Sequence, residues 1–271
     1  MKKKIIVVSL IVSLVAIAIV GSSLAFFSDT DEKVNVFTVG KIDIDQLEKD
    51  RTGADFVDGG MLLPVIDTTL GTANESATSR DANGMPTDEN FRDKVVTVKN
   101  NLDSVDAYVR TYIAVPKALD DAGILKKDIK AGTKWTAVSA DPVAVVTRDN
   151  IEYNVYAYYY DEILAVDAET PALLNGIYLD WQTDVKTDAT GALTHLTHPA
   201  ATGTTEVAVA DCIIVDDTVT PTQYKINVLV GTEGVQARGF ADAATATNNA
   251  FGDFSTMSAA DATAHFDAFW N

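Results

Sequence analysis

His195-Leu-Thr-His198 places two imidazoles three residues apart, a spacing from which a turn or a helix chelates zinc. His265 is the only other histidine, and no glutamate follows His195 as the zinc-protease pattern H-E-x-x-H requires. The surrounding stretch, 190–204, is rich in Gly, Thr, Ala and Pro, so the pair reads as exposed loop histidines. Acidic groups at Asp29/Asp31/Glu32, Asp43/Asp45 and Asp211/Asp216/Asp217 offer the oxygen ligands that calcium takes. None has the spacing of an EF-hand loop, and solvated strand ends on an acidic chain account for them. Cys212 sits among apolar residues, as a small buried hydrophobe would; a reactive thiol or an intermolecular bridge is the alternative. Tyr156, Tyr158 and Tyr160 share one face of an alternating segment, either as a binding strip or as cross-strand packing. The sequence has no G-x-S-x-G elbow and no phosphate-cradling glycine loop. These residues assemble no catalytic constellation, and we assign neither metal nor cofactor.

The elements that would hold these residues are mostly strands. The chain has 271 residues, 47% of them apolar, enough for a packed core. Its formal net charge is −18, a balance that repels phosphate and argues against nucleic acid as a partner. Of the acidic residues 30 are Asp and only 9 Glu, and there are 30 Thr; Asp favours turns and caps, Thr favours strands. One cysteine excludes an intramolecular disulfide.

Alternation marks a strand over 34–44, with Val34, Val36, Ile42 and Ile44 on one parity and Phe37 and Val39 making the other face apolar at its centre. The polar stretch 45–90 reads as long loops around one apolar run, Met61 to Ile66. Strands are expected over 94–99 and 108–115, joined as a hairpin through the Asn- and Asp-rich 100–106, and again over 151–160, 207–215 and 224–230. Short helices are expected over 118–127 and from Thr170-Pro171 through Ile177, where Thr caps and Pro opens the first turn. Phe240 to Phe251 and Ala262 to Trp270 recur at helical spacing. The sum is a mainly β chain, an antiparallel β-sandwich with a few flanking helices, in one domain over 26–271.

The first residues decide the compartment. Lys2-Lys3-Lys4, an apolar run from Ile5 to Val20 and small residues at Ser23 and Ala25 are the three parts of an export signal over 1–25. The sixteen residues of that run span about 24 Å as a helix, short of the roughly 30 Å hydrocarbon core, so we read a cleaved leader rather than an anchor. The cut falls between Ala25 and Phe26. Loss of the three lysines leaves 18 basic against 39 acidic residues, or −21.

The stretch from Ala25-Phe-Phe-Ser-Asp through Phe37-Thr-Val-Gly-Lys-Ile-Asp-Ile44 resembles the mature start of the TasA/camelysin family. Lys94 to Asn100 with Ala107-Tyr-Val-Arg110, and Val228 to Ala237 with Phe240 to Phe251 behind it, are similar to further pieces of that family. The resemblance covers about half of the chain. It implies a jelly-roll-like sandwich, processing by a SipW-type signal peptidase, and a secreted cell-surface or biofilm-matrix protein. It also implies a homopolymer, with accessory matrix proteins as further partners. In such fibres the N-terminal strand of one subunit completes the sheet of its neighbour, which makes Val34, Val36, Phe37, Val39, Ile42 and Ile44 the assembly strand. The camelysin name also carries a zinc-protease label, but the matched segments 26–44, 94–110 and 228–237 contain no histidine. A structural protein is therefore the expected function; a metalloprotease or a non-polymerising adhesin is the alternative.

Overall fold

The computed structural model describes residues 41–57, 62–65, 80–82 and 84–270. The leader, the Ala25/Phe26 cut, the acidic group at Asp29, Asp31 and Glu32, and the strand positions Val34, Val36, Phe37 and Val39 lie outside the described residues. What is described is mainly β, as expected, with three short α-helices.

One sheet places β1 (Ile44–Lys49), β3 (Arg92–Asn100), β9 (Leu174–Asp180) and β5 (Leu125–Ile129) side by side in antiparallel pairs; β2 (Pro64–Val65) joins β9 in parallel. A second sheet runs from β15 (Leu229–Gln236) through β4 (Ala107–Pro116) to β8 (Ile151–Tyr160), beyond which lie β6 (Trp135–Ala137) and β7 (Ala144–Arg148). Val96 from β3, Leu174 and Ile177 from β9, and Ile113, Val115 and Tyr158 from the second sheet meet in one apolar core, so the two sheets face each other. A three-stranded sheet, β10 (Asp184–Thr187), β11 (Leu193–Pro199) and β12 (Thr204–Ala208), adds Leu196 and Val207 to that core. The hairpin of β13 (Ile214–Asp216) and β14 (Gln223–Lys225) completes the β set.

All ten residues of β4 are buried. Ile113 and Val115 face the sandwich, while Tyr112 and Ala114 face Phe254, Ala262 and Phe266 beneath the C-terminal helices. Those helices, α2 (Ala243–Phe251) and α3 (Ala259–Phe269), occupy the segments where helical spacing predicts them. The Asp242 carboxylate accepts from the Thr245 amide at 2.7 Å, and the Ser258 hydroxyl from the Asp261 amide at 3.2 Å, each satisfying an amide the first turn leaves open.

Several local expectations fail; the strand expected over 207–215 is broken by a 3-10 turn at Val209–Asp211, and the one over 224–230 is divided between β14 and β15. The strands over 94–99 and 108–115 exist but form no hairpin, because β3 lies in the first sheet and β4 in the second. Asn100, fully buried, donates to the carbonyls of Val105 and Leu164 at the crossing, so the 100–106 link carries the chain between layers. The helix expected after Thr170 is the strand β9. Thr170 bonds to Val98 through both its amide and its hydroxyl, and Leu173 bonds to Val96, which pulls the chain onto β3. Gly176 fits there for lack of a side chain: a Cβ would stand 2.1 Å from the Arg92 carbonyl oxygen. The helix over 118–127 is only α1 (Lys117–Asp121); Gly123, at φ +70°, turns the chain into β5. Finally, 193–199 is strand β11, and 45–49, where polarity reads as loop, continues from Ile44 as strand β1.

Candidate functional site

The two assembly-strand residues within the described region, Ile42 and Ile44, sit where the chain joins the sandwich. The Lys41 carbonyl accepts from the Val105 amide, the Asp43 carbonyl accepts from the Asn101 amide, and from Ile44 onward the chain pairs with β3. Ile44 packs against the cluster of Val98, Val109, Tyr160 and Leu164. Both isoleucines press on β15 of the other sheet at Gly234, where a Cβ would lie 2.9 Å from Ile42 Cγ2 and 2.9 Å from Ile44 Cδ1. Beside them the Thr232 hydroxyl donates to Gln46 Oε1 at 3.1 Å. β1 is the outer strand of the first sheet and β15 the outer strand of the second, and each has a ladder on one side among the described residues. The chain therefore arrives at a corner where two sheet edges meet.

The histidine pair does not converge. Side chains alternate along a strand, so His195 and His198, an odd number of residues apart on β11, point to opposite faces. His198 Nε2 lies 3.0 Å from Asp180 Oδ1 and its Nδ1 lies 2.9 Å from the Pro199 carbonyl oxygen, so both ring nitrogens have acceptors. Both histidines are half-buried on a paired strand, not on an exposed loop, because 190–204 folds into the third sheet. Among the described residues no three His, Cys, Asp or Glu side chains gather as metal ligands do.

The acidic groups are engaged locally. Asn101 Nδ2 donates to both Asp43 and Asp45, and Lys41 Nζ holds Asp43 at 2.7 Å. Lys225 and Thr218 donate to Asp216, whose carboxyl is held down at about 2 by those bonds. Cys212 is fully buried, and burial pushes its thiol up to about 12, the state of an inert core residue. Of the tyrosine strip, Tyr158 and Tyr160 are buried in the sandwich and Tyr156 packs beside them, so the strip is core rather than an open binding face.

Two polar clusters escaped the sequence reading. Under the C-terminal helices Arg110 is fully buried. Its Nε donates to the Tyr112 hydroxyl at 2.9 Å, and its Nη1 donates to Asn248 and to the Gly252 carbonyl that ends α2. Tyr112 in turn donates to Glu233 on β15, and His265 Nε2 from α3 stands 3.4 Å from the same carboxylate. Phe254 and Phe251 lie over the guanidinium at 4.7 and 5.3 Å. Desolvation drives the Tyr112 phenol above its ordinary range, so it is a hydrogen-bond donor and not a base. This network ties both helices to the sheet.

The second cluster joins α1, β5 and β8. Lys127 Nζ meets Asp120 Oδ1 at 2.6 Å, and Tyr156 and Asn154 donate to Asp120 Oδ2 at 2.5 and 2.8 Å. No short motif marks either cluster, since their members come from segments up to 155 residues apart in the first case (Arg110 to His265) and 36 in the second (Asp120 to Tyr156). Comparison of the chain with protein-family models, curated proteins and solved structures finds no match.

Proposed function

We propose that this chain is an exported structural subunit that self-assembles into extracellular fibres of a biofilm-type matrix, the N-terminal segment of one copy adding to a sheet of the next. The observation that carries the reading is the corner at Gly234. The alternating stretch 34–44 ends there, between two sheet edges, with its last two isoleucines seated across both. An outer strand of eight residues such as β15 presents main-chain groups along its outer side, and an added strand gains about 1 kcal/mol net for each hydrogen bond it makes. Each buried valine or isoleucine adds roughly 1.5–3 kcal/mol in gross hydrophobic terms. The resemblance at the N-terminus supports the same reading, including processing after Ala25 by a SipW-type peptidase and accessory matrix proteins as co-assembling partners. No helix among the described residues is long and apolar enough to cross a membrane.

The metalloprotease reading loses its sequence support because the histidines of β11 face apart. The adhesin reading loses its own because the tyrosines face inward. Negative-stain electron microscopy of the mature chain tests the proposal: filaments are expected, and Val36→Asp should abolish them by placing a charge in the added strand. Filaments of unchanged number and length from Val36→Asp would reject strand addition as the mechanism.

A further inference from the structure

We infer that Lys127 and Asp120 are positioned to condense into an intramolecular amide, a covalent staple between β5 and α1. The two side chains are 13% and 10% exposed and meet at 2.6 Å between Nζ and Oδ1, so the amine nitrogen is held in hydrogen-bond contact with the carboxyl group whose carbon it would attack. Oδ2, on the other side of that carbon, accepts from the Tyr156 hydroxyl and from Asn154 Nδ2. Two donors thus already face the oxygen that carries negative charge when the carbon becomes tetrahedral. The Tyr156 ring covers the ammonium at 3.8 Å from its centroid. Burial pushes the lysine below its ordinary pKa, against the opposing pull of Asp120, which favours the neutral amine the reaction needs.

The step balances without any other reactant. One proton crosses the Nζ–Oδ1 hydrogen bond, turning ammonium and carboxylate into amine and carboxylic acid. The nitrogen lone pair attacks the carboxyl carbon, Oδ2 takes the charge, and Oδ1 leaves as water with a second proton from nitrogen. The product is a neutral amide. Reacting groups held in a near-attack arrangement reach effective molarities on the order of 10⁵ M or more, which is how a condensation unfavourable in bulk water can proceed between fixed partners. The chain has one cysteine and so no internal disulfide; an amide is the staple its composition permits. This inference does not depend on self-assembly.

Tandem mass spectrometry of a tryptic digest of the purified chain decides it. A branched peptide joining Asp120 to Lys127, lighter than its two parts by one water, is expected. It should vanish in Lys127→Arg and in Asp120→Ala. Asp120→Asn is the sharper variant, since attack on its amide expels ammonia and should yield a branched peptide of the same mass as the natural one. Unlinked peptides of full mass, with cleavage after Lys127, would overturn the inference, even if every variant failed to fold. So would a water loss confined to Asp120-Asp121, the mark of a cyclic imide.

Discussion

Substituting Gly234 probes the corner on which the functional proposal rests. A Cβ there would stand 2.9 Å from both Ile42 Cγ2 and Ile44 Cδ1, closer than carbon atoms approach without displacement. Cγ2 of Ile42 is a branch near the main chain and swings away only if the backbone moves with it. Gly234→Val therefore forces residues 42–44 outward, and overpacking of this kind costs about 1–3 kcal/mol. The gain in strand propensity from Gly to Val offsets at most about 1 kcal/mol of that. With that offset taken in full the net loss is about 0–2 kcal/mol, and with a urea m value of about 3 kcal/mol/M the midpoint of unfolding should fall by up to roughly 0.7 M. Fluorescence of Trp135, Trp181 and Trp270 reports the transition. The specific claim is coupling: in a double-mutant cycle Ile42→Ala, which removes that Cγ2, should relieve the clash, so the double variant is more stable than the two single losses predict, by at least about 0.5 kcal/mol. Limited trypsin digestion should cut sooner at Lys41 in Gly234→Val. Additive losses and an unchanged rate of cleavage at Lys41 would refute the seating of the isoleucines on β15.

Two further expectations concern residues first singled out for chemistry. Cys212, with its thiol raised to about 12, stays protonated at pH 8. It should react with a thiol reagent only as fast as the chain unfolds; a fast stoichiometric reaction of the native protein would contradict this. His198→Ala removes the imidazole from the buried Asp180, a hydrogen bond to a charged group worth roughly 1.5–3 kcal/mol, whereas His195→Ala should be close to neutral. Thermal unfolding of the two variants side by side separates them, and equal effects would show that the faces of β11 are misassigned.

Elements legible from the sequence were those whose pattern is local. Alternation over 151–160 and 108–115 marks β8 and β4, and helical spacing of Phe and Ala marks α2 and α3, because each pattern records which face of one element is buried. Where the pattern was ambiguous the wrong element was read. Leu173, Leu174 and Ile177 fit one helical face, yet the segment is a strand, because the main chain of Thr170 and Leu173 is bonded to β3 and Gly176 lets Phe91 and Arg92 approach. The polar 44–49 pairs as well as an apolar strand would, since Lys94 bonds Glu48 and covers Phe56, and Lys49 bonds Glu169 across the sheet.

Composition and local pattern by themselves determined a mainly β class, two terminal helices, an acidic surface and a core without disulfides. Only tertiary structure decided that β3 and β4 lie in opposite sheets, that His195 and His198 face apart, and that Arg110 is linked through Tyr112 to Glu233 and Lys127 meets Asp120. The reason is one of range. Which side of a strand is apolar is written within ten residues, whereas which strand lies beside it depends on ladders and burial summed over the whole chain, at a loop-closure cost that rises only slowly with separation.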